Sequence, residues 1–339
     1  MNRGRSRRAA WGRVVLAFVI AVGCYGAWAL RAAIGHRSAP PPSTGYFLLQ
    51  PVGSYARLPD DAVAAAMVHY STWEPRPGNT EYNDVMPARL ALQPVSNASG
   101  AYDPRWNKYI LGRITGHFTG TTDEIFQWAA AKWGLPDNLL RTIAYLESDW
   151  RQSNYGDYVS DRAQCPAGYQ ELPCPVTFGI VGTKSTSWPG IFPWNRDSTA
   201  AAVDVLGGWL RGCYEGWVWW LGEHGNRSHG VYRAGNIWGC VGAWYSGNWL
   251  DGSAANPHSG EGYIHLAHYW EQRRPWLQPG FRSDGSLGDL GSREQQPRPF
   301  GPQELTGCGG SVAPGRAGDR RRGVARAPRA AARLGSHMG

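Results

Sequence analysis

The sequence predicts a mainly α-helical, compact domain with a small irregular or β-like segment, preceded by a membrane helix and followed by a disordered tail. Three observations support this prediction. Two capped amphipathic helices lie near the middle of the 339-residue chain, an uncharged apolar run follows an Arg-rich N-terminus, and the residues after Pro279 lack periodicity. Hydrophobic residues make up 42% of the chain, which excludes both a polytopic membrane protein and a wholly disordered one.

The positive net charge of +8 is located at the two ends of the chain. Residues 1–37 contain seven Arg and no acidic residue, and residues 314–339 contain seven Arg and one Asp. The chain between them is therefore mildly acidic. Because a nucleic-acid-binding surface needs basic residues on a folded face, we expect no nucleic-acid partner.

The N-terminal region, residues 1–37, predicts export. Five Arg precede an apolar run from Val14 to Leu30, whose 17 residues are near the minimum for crossing a bilayer. Basic residues stay on the cytoplasmic side, so the rest of the chain should lie outside. We favour an uncleaved single-pass anchor in the cell membrane, which makes the membrane a partner of this helix. A cleaved signal segment, giving a secreted protein, remains the alternative.

Composition divides the remaining chain into four parts. Residues 38–44 are Pro-rich and predict a semi-rigid linker. Residues 45–118 predict an N-terminal extension, packed on the main domain, with one helix from Asp60 to Tyr70. Residues 119–278 predict the main domain. Residues 279–339, rich in Arg, Gly and Pro, predict a disordered tail.

The main domain opens with a helix that has clear start and stop residues. Thr121 and Glu124 have the spacing of a capping box, and apolar residues follow at near-helical intervals. Gly134 then favours a helix end, and Pro136 prevents the helix from resuming. The sequence therefore predicts a helix of about three turns.

The second helix, which starts near Asp137, carries an acidic residue on its apolar face. Leu140, Ile143, Ala144 and Glu147 are spaced i, i+3, i+4 and i+7, so they share one face. Burial and the negative end of the helix dipole should both raise the pKa of Glu147, as a general acid requires. Pairing with an Arg, or access to water at the helix end, is the structural alternative.

Four short segments then occur in an order that resembles the soluble lytic transglycosylase and goose-type lysozyme superfamily. They are Glu147-Ser148 at the helix end, the loop 151–156, the segment 177–180 (TFGI) and the segment 242–247 (GAWYSG). In that superfamily a Glu-Ser pair ends the catalytic helix, a Gly-containing turn lines the sugar cleft, and an Ala-Tyr-Asn-Ala-Gly segment closes it. The resemblance covers residues 121–276, under half of the chain.

This resemblance implies a lysozyme-like α+β fold and a peptidoglycan-cleaving glycosidase. Glu147 would act as general acid and base on the bond between N-acetylmuramic acid and N-acetylglucosamine, in a lytic transglycosylase or a lysozyme. If the enzyme is hydrolytic, Asp157 or Asp161 is a possible second carboxylate, since both follow the helix; both could equally be plain loop residues. The residues expected to bind the glycan are Ser148, Phe178, Gly179, Trp244 and Tyr245.

The chain departs from the superfamily pattern at two places. Gly182 stands where a polar residue, commonly Gln, is usual, and Trp244 and Tyr245 stand at the Tyr-Asn position. The missing donor at Gly182 favours an alternative function, a non-catalytic envelope protein that holds glycan in a lysozyme-like cleft. A structural scaffold without glycan contact is a third possibility.

Four cysteines lie in the main domain, and an exported domain can keep disulfides. Of the three possible pairings, we predict Cys165 with Cys174, closing a Pro-containing loop, and Cys213 with Cys240, tying two helical segments. The spacing contains no Cys-x-x-Cys, so no metal site is expected. No cofactor is expected either.

Overall fold

Helices make up most of the computed structural model, which describes residues 45–223, 229–278 and 281. Within this part, nine α-helices and a three-stranded antiparallel sheet confirm the mainly helical prediction. The predicted membrane segment Val14–Leu30, the linker and nearly all of the predicted tail lie outside the described residues. No helix of the described residues combines the length and apolarity needed to cross a membrane.

The capping box predicted from the sequence starts helix α4, Thr122–Trp133. The Glu124 N–H donates to Thr121 Oγ1 at 3.3 Å, and the Thr121 N–H donates to Glu124 Oε2 at 2.8 Å. Gly134 ends the helix with a φ of 61°, which Gly adopts without steric cost. Helix α5, Asp137–Ser148, follows after Pro136 and has Glu147 in its last turn, as predicted.

The core is formed where α4 and α5 meet the longest helix, α7, Thr199–Tyr214. Every residue of α7 is buried. Gly207 permits this close packing, because a Cβ there would lie 2.3 Å from Cδ1 of Trp133. The short helix α6, Trp194–Asp197, leads into α7.

Two further helices complete the domain: α8, Ile237–Ser246, and α9, Gly260–Arg273, which pack against each other. The predicted disulfide between Cys213 and Cys240 is present and joins α7 to α8. Both cysteines are fully buried.

The small sheet lies between α5 and α6 in the sequence. Strands β1, Tyr155–Val159, β2, Cys174–Phe178, and β3, Thr183–Lys184, pair in the order β1-β2-β3. Tyr155 lies opposite Phe178, and Thr177 lies opposite Lys184. The second predicted disulfide, Cys165–Cys174, closes the loop between β1 and β2.

Segment 45–118 packs on these elements through three short helices: α1, Asp61–Ala66, α2, Thr80–Asn83, and α3, Arg105–Tyr109. The predicted helix Asp60–Tyr70 was therefore too long. Asp60 caps α1, but Val63 and Met67, which belong to the apolar residues at helical spacing in this segment, are exposed. Without burial of that stripe, nothing offsets the entropic cost of further helical turns.

Polar contacts and side-chain packing join segment 45–118 to the helices. The Asp137 carboxylate accepts hydrogen bonds from the Tyr46 and Phe47 N–H groups, at 3.0 and 3.1 Å. The Arg113 guanidinium donates to the Pro59 carbonyl at 2.6 Å and to the Lys132 carbonyl at 3.2 Å. Residues 45–69 and 74–118 therefore belong to the same folded unit as these helices.

Candidate active site

A cleft of about 580 Å³ opens beside the end of α5. Its walls come from the last turn of α5, the three strands, the end of α8 and the segment Leu92–Val95. Residues from segment 45–118 therefore form part of the cleft, although no sequence motif assigns them to a site. The cleft is mostly apolar with a few polar groups, as ligand-binding clefts usually are.

Glu147 points its carboxyl group into this cleft. The Tyr263 hydroxyl donates a hydrogen bond to Glu147 Oε1 at 2.6 Å. Among the described residues, no cationic side chain forms an ion pair with Glu147, which argues against the Arg-paired alternative. Burial raises the pKa of Glu147 to about 8, the Tyr263 hydrogen bond lowers it, and the charge of Asp157 raises it. The carboxyl group therefore keeps its proton at neutral pH.

Tyr263 is the polar partner that sequence reasoning missed. It lies on α9, 116 residues after Glu147, and its ring stacks on that of Tyr245 at a centroid distance of 4.6 Å. Burial and the neighbouring Glu147 raise the pKa of Tyr263, so its hydroxyl remains a donor. Within α9, Tyr263 occupies an ordinary buried position, so nothing in the local sequence marks it as functional.

Gly182 provides the space that the Glu147 carboxyl occupies. A Cβ at position 182 would lie 2.6 Å from Glu147 Oε2, which is closer than any real contact. The backbone φ of +64° also favours Gly. A Gln side chain at position 182 would therefore displace the carboxyl group in this backbone conformation.

The two possible second carboxylates occupy different places. Asp157 lines the cleft on β1, accepts a hydrogen bond from Thr177 Oγ1 at 2.8 Å and lies 3.8 Å from Lys184 Nζ. Its φ of 48° is unusual for a residue other than Gly. Asp161 is not a lining residue and instead accepts a hydrogen bond from the Ala163 N–H at 3.0 Å. The cleft therefore brings Glu147 together with Asp157 and not with Asp161.

Three residues expected to bind glycan lie behind the cleft wall. The Ser148 hydroxyl donates to the Ile180 carbonyl at 2.7 Å, and so fixes the turn that contains Gly182. Phe178 is buried against other aromatic rings. Gly179 packs so closely that a Cβ would lie 2.3 Å from the Asn195 carbonyl oxygen. These residues support the site and do not line it.

Trp244 and Tyr245 do line the cleft. The Trp244 indole N–H donates to the Val181 carbonyl at 3.2 Å, which joins the end of α8 to the turn beside Gly182. Sequence reasoning missed several other cleft aromatics, because Trp residues are abundant and most of them are buried in the core. These additional rings are Tyr102, Trp106, Tyr155, Tyr158, Trp188, Trp209 and Trp220.

The described residues contain no group of three or more His, Cys, Asp or Glu side chains placed to hold a metal ion. The site consists of one protonated carboxyl group, a tyrosine that orients it, a nearby Asp–Lys pair and aromatic walls. Comparison with known proteins found no matching protein-family model, no matching curated protein and no matching solved structure.

Proposed function

We propose that this chain is a glycosidase that cleaves peptidoglycan between N-acetylmuramic acid and N-acetylglucosamine, as a lytic transglycosylase or a lysozyme. The observation that carries the proposal is the Glu147 carboxyl group, which has a pKa of about 8 and is held by Tyr263 in an open cleft. A carboxyl group that is protonated at neutral pH can act as a general acid on a glycosidic oxygen. The sequence resemblance described above favours peptidoglycan as the substrate.

Cleavage of the glycosidic bond, the first step of this reaction, needs only one carboxyl group. Glu147 donates its proton to the oxygen that leaves with N-acetylglucosamine, while the bond from this oxygen to C1 of muramic acid breaks. The Glu147 carboxylate then accepts a proton from the attacking hydroxyl. If that hydroxyl is on C6 of the same muramic acid, a 1,6-anhydro sugar forms; if it belongs to water, a reducing end forms.

Asp157 is the residue that would favour the hydrolytic outcome. Its carboxylate faces the cleft and could hold the attacking water or stabilise positive charge on the sugar. However, its contacts with Thr177 and Lys184 already engage Oδ2. We therefore propose Glu147 as the principal acid and base, and Asp157 as an auxiliary residue.

The test is digestion of purified peptidoglycan by the full chain, with mass spectrometry of the soluble products. Anhydro-muramyl products indicate a transglycosylase, and reducing muramyl products indicate a hydrolase. Glu147→Gln should lower the rate at least about a hundredfold, because a positioned general acid contributes that much. Activity of the wild type should fall as the pH rises above about 8, since the acid form is the active one.

The second candidate function is a non-catalytic envelope protein that holds glycan in the same cleft. It is favoured by Gly182, which leaves the cleft without the usual Gln donor. Binding of peptidoglycan without release of soluble products would support it. A Glu147→Gln variant that cleaves at the wild-type rate would exclude Glu147 from the mechanism.

We also propose that the domain lies outside the cell membrane. Two disulfides are present, and disulfides persist mainly in oxidising compartments. Protease added to intact cells with a permeabilised wall should degrade the domain. Complete protection until the cells are lysed would contradict this location.

A further inference from the structure

The sheet side of the cleft carries two charged side chains of opposite sign. Asp157 of β1 and Lys184 of β3 both line the cleft, and their side chains are 62% and 43% exposed. Lys184 Nζ lies 3.8 Å from Asp157 Oδ2, which is an ion-pair distance but too long for a hydrogen bond. Both groups are therefore open to a ligand in the cleft.

The sheet register explains how these two side chains come together. Lys184 lies directly opposite Thr177 on β2, so the two side chains share one face of the sheet. On the other side Gly156 lies opposite Thr177, and the next residue, Asp157, would face away in a regular strand. Its φ of 48° departs from strand geometry, and the Thr177 hydroxyl donates to Asp157 Oδ2 at 2.8 Å. The Asp157 carboxylate is thereby held beside Lys184.

Both charged groups keep unused hydrogen-bonding capacity. Among the described residues, Asp157 Oδ1 accepts no hydrogen bond and the Lys184 ammonium donates none. A ligand group with a single charge would be repelled by one of the two side chains. A zwitterionic amino-acid group, with an ammonium and a carboxylate on one carbon, complements both.

Two tyrosines complete this side of the cleft. Tyr155 and Tyr158 line the cleft, are each 53% exposed and have ring centroids 6.4 Å apart. Exposed rings of this kind offer a surface on which the methylene groups of a ligand can pack. We call this surface the sheet rim and define it by five residues, Tyr155, Asp157, Tyr158, Thr177 and Lys184.

The sheet rim begins next to the Glu147 carboxyl group. Thr177 Cγ2 lies 3.6 Å from the place that a Cβ at Gly182 would take, and Glu147 Oε2 lies 2.6 Å from the same place. A muramic acid bound at Glu147 carries a stem peptide, whose residues extend at most about 3.5 Å each. The first few residues of that peptide are therefore long enough to reach the rim.

We propose that the sheet rim binds the stem peptide of peptidoglycan through the zwitterionic end of a diaminopimelate residue. Lys184 donates to the carboxylate of this end, and Asp157 Oδ1 accepts from its ammonium. This inference rests on the proposed function in taking peptidoglycan as the source of the peptide. It assigns to Lys184 the selection of diaminopimelate over lysine, whose side chain ends in an ammonium without the carboxylate.

The test compares two soluble tripeptides by isothermal titration calorimetry with the full chain. One is L-alanyl-γ-D-glutamyl-meso-diaminopimelate, and the other has L-lysine as its third residue. Neither contains sugar, so their binding does not depend on glycan cleavage. The wild type should bind the diaminopimelate peptide roughly fivefold more tightly, the effect of one partly exposed ion pair. High salt should reduce this preference.

Lys184→Met removes the ammonium and keeps most of the side chain's length. It should weaken binding of the diaminopimelate peptide to the level of the lysine peptide and leave the lysine peptide unaffected. Lys184→Arg keeps the charge and should retain a preference. The matched control is Lys108→Met, since Lys108 is exposed and does not line the cleft. This control should bind both peptides as the wild type does.

Asp157→Asn tests the other half of the site. Asn tolerates a positive φ, so the strand geometry should persist. The variant should weaken binding of both peptides, because both carry the side-chain ammonium. Asp161→Asn is the control, since Asp161 follows β1, is exposed and does not line the cleft. Thermal melts show whether each variant folds; if Lys184→Met does not, the wild-type preference and its salt dependence decide the result.

The outcomes separate this inference from the proposed enzyme activity. Equal binding of the two peptides by the wild type, or a preference that folded Lys184→Met retains, overturns the inference even if peptidoglycan is cleaved. Absence of binding to either peptide also overturns it. A preference that depends on Lys184 supports the inference, even if no cleavage occurs and the proposed activity fails.

Discussion

At the scale of single residues, the proposed chemistry depends on how Glu147 keeps its proton. The sequence predicted this, because the i, i+3, i+4, i+7 spacing put a carboxyl group on an apolar helix face. It could not predict Tyr263, which reaches Glu147 from a helix 116 residues later. It also could not show that Gly182 clears space for the carboxyl group, since that depends on the turn between β2 and β3.

The raised pKa of Glu147 predicts a pH-dependent cost to stability. In the unfolded chain the group titrates near 4.5, and in the folded protein it titrates at about 8. Between these values the folded state retains a proton that the unfolded state has lost, so stability falls as the pH rises. The loss is at most about 1.4 kcal/mol per pH unit. Glu147→Gln removes this effect.

We therefore expect the melting temperature of Glu147→Gln to exceed that of the wild type by an amount that grows from pH 5 to pH 8 and then levels off. Differential scanning fluorimetry over pH 5–9.5 measures it, without requiring any enzyme activity. Glu171→Gln, at an exposed position, is the control and should show no such trend. A constant difference across the range would refute the raised pKa.

Gly182 gives a second prediction at this scale. Gly182→Ala places a Cβ 2.6 Å from Glu147 Oε2 and should move the carboxyl group, lowering the rate of peptidoglycan cleavage roughly a hundredfold. The matched control is Gly247→Ala. Gly247 also lines the cleft and has a φ of +69°, but its Cβ would have no atom within 4 Å.

Both Ala variants should lose about 1–2 kcal/mol of stability from the left-handed backbone, and only Gly182→Ala should also lose activity. Chemical denaturation and product release measure the two effects separately. Equal activity in the two variants would show that the space beside Glu147 has no role in the reaction.

At the scale of elements, local sequence rules predicted helix boundaries correctly where a capping residue starts the helix or a glycine ends it. The capping box at Thr121 and the Gly134 stop were both confirmed. The helix predicted over Asp60–Tyr70 ended at Ala66, because its apolar stripe is not buried in the fold. Periodicity alone therefore overestimated a helix whose length depends on tertiary packing.

The two disulfides should contribute unequally to element packing. Cys213–Cys240 closes a loop of sequence separation 27 and joins α7 to the buried middle of α8, whereas Cys165–Cys174 closes a separation of 9. Replacing Cys213 and Cys240 by Ala should cost about 3–4 kcal/mol, and replacing the other pair about 2–3 kcal/mol. Urea denaturation of both double variants measures the difference. The reverse order would mean that loop closure does not determine their contributions.

At the scale of the whole molecule, sequence composition predicted an N-terminal extension over 45–118, and contacts place this segment in the core as well as in the cleft. Trp106, Ile110 and Ile114 are buried. They pack so closely on α7 that a Cβ added at Gly208 or Gly212 would lie within about 3 Å of their side chains. The segment has few long stretches in which apolar residues recur at helical or strand spacing. Its role therefore depends on contacts between residues about a hundred positions apart, which no local pattern reveals.

This packing predicts that residues 119–281 do not fold stably without segment 45–118. Burying each of Trp106, Ile110 and Ile114 contributes roughly 1.5–3 kcal/mol, and the three together approach the whole stability of a typical domain. Removal of the segment would also leave the Asp137 carboxylate without the two backbone N–H donors at Tyr46 and Phe47. Near-ultraviolet circular dichroism and thermal melts of fragment 119–281, with fragment 45–281 as the control, test this. A cooperative melt of the shorter fragment, close to that of the longer one, would show that 45–118 is dispensable for folding and leave it only a role in the cleft.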